Sequence, residues 1–237
     1  MREVPNASTS SEDFEFAALT EAKNYRDALL WEFSSNLHGK VLEVGAGIGQ
    51  ITEKLLQNRG ITQLVSIEPH HPFFKKLAEA FPGHPVVQGT IDDLKGDERW
   101  DAIISINVLE HIKDDEHELK EYHHRLAKGG SLCLFVPARP EIYAPIDKDF
   151  GHFRRYTRRE LRSKLEQAGF RVDRLRYYNV AGYFAWWLNF RLLKKRGFNT
   201  RAIRFFDRFI FPPVHAVESR ICPPLIGQSL LAIAVAR

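Results

Sequence analysis

The stretch from Lys40 to Thr52, KVLEVGAGIGQIT, constrains the fold more than any other part of this chain. KVLEV reads as a short buried strand, and it runs straight into a turn carrying three glycines. Strand and helix signals then alternate. The spacing predicts a helix over GQITEKLLQNRG capped by Gly60, a strand in QLVSIEP, and a helix over PFFKKLAEAF stopped by Pro82-Gly83. A short strand opens PVVQGTIDDL. DAIISINVLEHI and SLCLFVPA read as two more strands, separated by a helix over DEHELKEYHHRLAKGG with Gly129-Gly130 as its stop. Such alternation implies a parallel sheet covered on both faces, with ligands outside the carboxyl ends of its strands.

On either side of this block the pattern changes. Before it, Phe16, Leu19, Tyr25, Leu29, Leu30 and Phe33 recur at three- and four-residue spacing and predict an amphipathic helix, or two, ending before His38-Gly39. After Ala138 comes a loop-like stretch, RPEIYAPIDKDFGHFRRYT. It leads to a helix ended by Gly169 and a strand in RVDRLRYY. YFAWWLNFRLLKKRG and TRAIRFFDRFIF then read as two basic, aromatic-rich helices closed by Pro212-Pro213, and QSLLAIAVAR as an apolar terminal strand.

Charge is distributed unevenly. Gly151 to Arg208 holds 16 Lys/Arg against 4 Asp/Glu, a net +12, which leaves −8 for the rest of a chain whose formal charge is +4. A basic face of this kind is directed at something anionic. The first 13 residues read as a polar, disordered tail, and no run of 18 apolar residues points to a membrane span. Two cysteines, Cys133 and Cys222, are too few for a disulfide framework and read as buried free thiols, so the setting expected is cytoplasmic.

The glycine turn matches neither phosphate-binding motif. Gly45, Gly47 and Gly49 give G-x-G-x-G, with Gln50 where the dinucleotide fingerprint needs its third glycine, and no Lys-Ser/Thr pair follows as in a P-loop. Glu43 would repel a pyrophosphate but suits a ligand bearing an ammonium group. Glu68, closing the second strand, is placed to accept both hydroxyls of a ribose. Together they fit an adenosine with a cationic amino-acid tail, S-adenosylmethionine.

VLEVGAGIGQIT, SIEP, GTIDDL, DAIISINVLEHI and LAKGGSLCLFVP stand in the order seen in class I S-adenosylmethionine-dependent methyltransferases, which this chain resembles over roughly residues 24–137. The resemblance implies an α/β, Rossmann-like sheet of seven strands, the last antiparallel, in a single domain over residues 14–237. Its cofactor half would span 14–138, and its substrate half 139–237 would carry a helical lid at about 183–211. It also implies that Glu43, Gly45, Ala46 and Gly47 border the methionine part and that Glu68 and Pro69 border the ribose. Thr90, Ile91 and Asp92 would flank the adenine, Asn107 and Val108 the sulfonium, and Tyr25 would reach in from the N-terminal helix. Many members carry an acid where this chain has Thr90, so adenine recognition here would rest on backbone groups. The product would be S-adenosylhomocysteine.

Methyl transfer to a hydroxyl is helped by a general base, and His111 and His152 are the candidates near the strand ends. GHFRRYTRREL and RYYNVAGYF resemble, more loosely, the corresponding region of ubiquinone-biosynthesis O-methyltransferases. Arg154, Arg155, Tyr156, Tyr178 and Trp187 are the candidate substrate-binding residues, the two arginines being as well suited to pairing with Asp147, Asp149 or Glu160. Some ubiquinone-pathway relatives bind a divalent metal at E-x-x-E-H. Asn107 replaces the first acid, so no metal is expected. The expectation is a methyltransferase acting on a hydroxyl of an apolar, aromatic or lipid-linked small molecule, with the basic aromatic insertion contacting a membrane surface. Methylation of nitrogen or carbon, or of RNA gripped by the basic half, is the alternative. Against RNA stand the apolar stretches among the arginines and the lack of a recognisable RNA-binding module.

Overall fold

The computed structural model describes residues 20–197, 199–221 and 223–237. The N-terminal tail, Phe16, Leu19 and Cys222 lie outside them. A helix α1 (Lys23–Phe33) precedes β1 (Gly39–Val44), and a single turn α2 (Thr52–Leu55) leads to β2 (Ile61–Glu68). Then follow α3 (His71–Ala80), β3 (Val86–Gln88), β4 (Trp100–Ile106), α4 (Asp115–Arg125) and β5 (Leu126–Pro137). The second half contains α5 (Pro145–Asp149), α6 (Arg158–Gln167) and β6 (Phe170–Tyr178). An insertion of α7 (Val180–Trp186), α8 (Thr200–Phe205) and α9 (Phe211–Arg220) precedes β7 (Ser229–Ala236).

The seven strands form one sheet in the order β3-β2-β1-β4-β5-β7-β6. The first five pair in parallel, and β7 lies antiparallel between β5 and β6. Neighbouring residues of the central strands feed opposite cores, which explains their continuous apolar runs. Leu132, Leu134 and Val136 of β5 pack on one face with Leu119, Tyr122 and Leu165. Cys133 and Phe135 pack on the other with Leu29, Phe33 and Phe211. No helix among the described residues is long and apolar enough to cross a membrane.

Three boundaries differ from expectation. Only Thr52–Leu55 is α-helical after the glycine turn; Gly60 is held by the Asn58 side chain, which accepts its N–H at 2.9 Å. Gly129 and Gly130 do not stop α4, which ends at Arg125. They form a bulge in β5, where Leu126 faces Trp100 but Ser131 already faces Ala102. A Cβ on Gly130 would stand 2.9–3.1 Å from three carbonyl oxygens, so the bulge needs glycine. Pro212 and Pro213 do not close the helix either. They occupy the first turn of α9, directly after a π-helical stretch at Phe206–Ile210, where a missing N–H costs little.

Candidate functional site

The carboxyl edge of β1 to β4 gathers the residues expected to hold the cofactor. Gly45 leaves β1 with φ +71°, and a Cβ there would stand 2.3 Å from Cγ2 of Val108. Glycine therefore lets the turn pass beneath the loop after β4. Gly47, also left-handed, donates its N–H to Oε2 of Glu68 at 2.8 Å, and the N–H of His70 meets Oε1 at 2.8 Å. Glu68 is thus fixed in place, and a carboxylate is the acceptor that a vicinal diol requires.

Glu43 lies buried under the turn, where Oε2 accepts the hydroxyls of Thr52 (2.7 Å) and Ser66 (2.6 Å). Burial pushes its carboxyl up to about 7 and outweighs these bonds, with the Glu68 charge acting in the same direction. Thr90 spends both its N–H (2.8 Å) and its hydroxyl (3.1 Å) on Asp93, capping the 3₁₀ turn Ile91–Asp93. Ile91 is fully buried, while Asp92 faces outward to His117 at 3.1 Å. Asn107 follows β4 directly with φ +53°, its N–H bonded to the carbonyl of Phe135 at 2.9 Å. Tyr25 packs on the rings of Phe135, Tyr178 and Phe211.

An acid for an ammonium, a carboxylate for a ribose and a glycine cradle are the groups that S-adenosylmethionine demands, so these residues fit it. Glu68→Ala would strip the N–H groups of Gly47 and His70 of their acceptor, and with them the ribose that the resemblance assigns to this carboxylate. An affinity loss for S-adenosylhomocysteine of about 1–3 kcal/mol, roughly ten- to hundred-fold, is expected by calorimetry. An ammonium seated beside Glu43, as the resemblance implies, would make binding pH-dependent. The raised Glu43 carboxyl holds a proton below about 7, and an ammonium beside it favours the ionised form. Cofactor binding is therefore expected to release a proton at pH values somewhat below 7, with affinity climbing with pH until it levels above that value. Titrations in buffers of different ionisation heat should count up to one proton released; none released would place the ammonium elsewhere.

A cavity of about 610 Å³ opens beside this edge, running from Asn107, Glu110 and His152 to the helices of the insertion. At its floor, Nδ1 of His152 faces Oδ1 of Asp147 at 3.1 Å. The same oxygen receives Arg155 Nε and Nη2, each at 2.8 Å, and Oδ2 accepts the N–H of Ala144. Burial would raise the Asp147 carboxyl, but His152 and Arg155 hold it below its ordinary range, so it is ionised. A carboxylate facing Nδ1 fixes the proton there and leaves Nε2 as the basic nitrogen of the ring. His111 stands edge-on to His152, ring centroids 4.7 Å apart; burial first, and then His152, push its pKa down to about 3. It is neutral at physiological pH. Glu110, His111 and His152 each offer one ligand atom within 4.8 Å of the others, a donor set able to hold a divalent cation. Sequence spacing did not indicate this set, because His152 joins it from a separate loop.

Of the five candidate substrate-binding residues, only Arg155 lines the cavity. Arg154 turns away to Asp115 at 2.7 Å, and the hydroxyl of Tyr156, fully buried, donates to the same carboxylate at 2.8 Å. Tyr178 is buried among aromatic rings below the cavity. Trp187 points outward at 43% exposure, and its neighbour Trp186 lines the cavity instead, under the Arg155 guanidinium at 4.5 Å. Asp147, Asn179 and Phe190 were not anticipated as site residues. Only the aromatic composition of the insertion signalled the last.

Comparison with known proteins agrees with this architecture. A family model described as a methyltransferase domain matches residues 17–175. An uncharacterized methyltransferase of Geobacillus kaustophilus is 37% identical over 104 residues, covering 40% of this chain and 45% of that one. The mitochondrial ubiquinone biosynthesis O-methyltransferase of Dictyostelium discoideum is 27% identical over 110 residues, 40% of this chain and 34% of that one. The chain spans about half the length of the curated relatives it matches.

Among solved structures, a putative methyltransferase in complex with the Haloferax volcanii Trm112 activator superposes with TM-score 0.59 at 18% identity, covering 94% of this chain and 96% of that one. The N-methyltransferase NodS of Bradyrhizobium japonicum, in complex with S-adenosylhomocysteine, gives TM-score 0.56 at 15% identity, covering 89% and 84%. At such identities the likeness is one of fold. With the family model spanning most of the chain, the glycine turn, the acids at its strand ends and the antiparallel last strand together place the protein in the class I S-adenosylmethionine-dependent methyltransferase family.

Proposed function

We propose that the protein methylates a hydroxyl of a small-molecule acceptor with an apolar, aromatic or lipid-linked body. The observation that carries this reading is the Asp147–His152 pair at the floor of a cavity that also reaches Asn107 on the cofactor edge. The bound cofactor supplies an electrophilic methyl group on a sulfonium. The protein's part is to align the acceptor, exclude water and take a proton. His152 Nε2 accepts the hydroxyl proton, Asp147 stabilises the imidazolium that results, and Arg155 keeps Asp147 in position. His111, neutral beside it, keeps a second positive charge out of the floor.

The triad Glu110, His111 and His152 favours a second reading, in which these three residues would hold a divalent cation that would supply Lewis-acid activation of the acceptor hydroxyl. Chelation followed by magnesium or manganese add-back separates the two: only the cation reading predicts loss and recovery of activity. Methyl-labelled cofactor should be offered with phenols, lipid-linked alcohols, amines and tRNA. Label in an ether is the expected product; label confined to amines or RNA would retire the hydroxyl reading. A cytoplasmic setting is proposed with it, in keeping with the buried thiol of Cys133.

A further inference from the structure

The insertion between β6 and β7 carries apolar side chains on two faces. Trp186 and Phe190 point inward to a small core with Ile142, Ile146 and Phe150. Phe184, Trp187, Leu188 and Leu192 recur at three- and four-residue spacing on the outside, 43–56% exposed. On the second arm of the insertion, Phe205 and Phe209 stand 57% and 58% exposed. A helix apolar all round is normally buried, and here one face has nothing over it among the described residues.

The segment that carries these side chains is cationic, and Arg208 lies over the Phe209 ring at 5.3 Å. Residues 183–211 hold seven Lys/Arg and one acid, Asp207. That acid is buried and spent on the backbone N–H groups of Asn24 and Tyr25. Arg204 and Arg196 pair with Glu21 and Asp149. Arg191, Lys194, Arg201 and Arg208 are exposed and have no acidic partner among the described residues. The 610 Å³ cavity runs between the same two arms, with Phe190, Ile203, Phe206 and Ile210 in its wall, down to His152.

We propose that this face docks on an anionic lipid bilayer and that the cavity draws its acceptor, a membrane-resident amphiphile, from that bilayer. Apolar rings enter the acyl boundary while the unpaired cations meet lipid phosphates, the arrangement of an interfacial helix. A protein partner would also cover an apolar face, but the excess of unpaired cations around it matches a phosphate-bearing plane. The source of the acceptor rests on the methyl-transfer reading; the docking does not.

The test is flotation of the full-length protein with vesicles of phosphatidylcholine alone, or with about one-third phosphatidylglycerol. Binding to the anionic vesicles only, weakening as salt rises, is expected. Arg191→Glu with Arg208→Glu should weaken it at least about tenfold, and Phe184→Ser with Phe209→Ser should reduce it as well. Brominated lipid should quench tryptophan fluorescence in the wild type and much less in Trp187→Phe. Calorimetry with S-adenosylhomocysteine on every variant checks that each is folded. Absence of flotation, or flotation indifferent to both double variants, overturns the proposal. So does a dimer in light scattering that Phe209→Ser dissolves, because a second copy would then own the face. Flotation with no cofactor binding by the wild type would retire the methyl-transfer reading and leave the docking intact.

Discussion

Replacing Glu32 with alanine is expected to lower the unfolding free energy by about 3–5 kcal/mol, measured by urea denaturation. Glu32 lies on α1 with its side chain fully buried. It pairs with Arg176 and, at 2.8 Å, with Arg174, both on β6; His215 of α9 stands 3.8 Å away. One carboxylate thus joins the first helix, the edge strand and the insertion. Burial already works against the charge on Arg176, whose pKa is lowered despite Glu32, so removing the acid leaves a cation stranded at 7% exposure. A domain of ordinary stability has about 5–15 kcal/mol to lose. Pairing Glu32→Ala with Arg176→Met should recover much of the loss, since the cost lies in the unpaired charge. A single variant within about 0.5 kcal/mol of wild type would mean that water reaches the cluster.

His152→Ala is expected to lower kcat by about 10²–10⁴, the range for loss of a general base. Affinity for S-adenosylhomocysteine should stay unchanged, because the proposed role of His152 is toward the acceptor and not the cofactor. Asp147→Asn should act in the same direction, since an amide no longer fixes the proton on Nδ1 or stabilises the imidazolium. Added imidazole should restore part of the activity in His152→Ala and none in Asp147→Asn, which keeps its ring. A His152→Ala enzyme with full kcat would move the proton transfer to solvent or to a bound cation.

The parts legible in the sequence are those written locally. The strand before the glycine turn, the acids two residues before Gly45 and at the end of β2, and the alternation that gives a parallel sheet all depend on neighbours in the chain. Misread elements depend on distant ones. Gly129 and Gly130 carry the signature of a helix stop, but pairing with Trp100 and Ala102 makes them a strand bulge. Two prolines signal an end in isolation and a beginning when a helical turn already precedes them. Asp147 and His152 meet across a short loop with no periodicity, and Glu32 meets Arg176 across 144 residues. Charge pairing over such a span leaves no trace in spacing. The basic half reads as a single surface in the sequence. In the fold its cations divide between buried partners, such as Arg155 and Arg176, and open ones, such as Arg191 and Arg208.

Tyr178, the last residue of β6, pairs directly with Ser229, the first of β7. The chain therefore leaves the sheet and rejoins it at one spot, and everything between hangs from a hydrogen-bonded doorway. Its described polar ties to the remainder include Asp207 to the start of α1, Arg204 to Glu21, Arg196 to Asp149, His215 near Glu32, the Gln228 carbonyl to the N–H of Ala138 at 2.8 Å, and the cations Arg139 and Arg155 over the rings of Tyr183 and Trp186. Doubling the length of such a loop costs only about 0.6 kcal/mol in closure entropy. The outer arms of the segment are thus open to change in length, while Phe211 anchors its base in the core with Leu29 and Phe33. A chain whose outer arms are exchanged is expected to keep the pairing of β6 with β7 and the register of the five parallel strands.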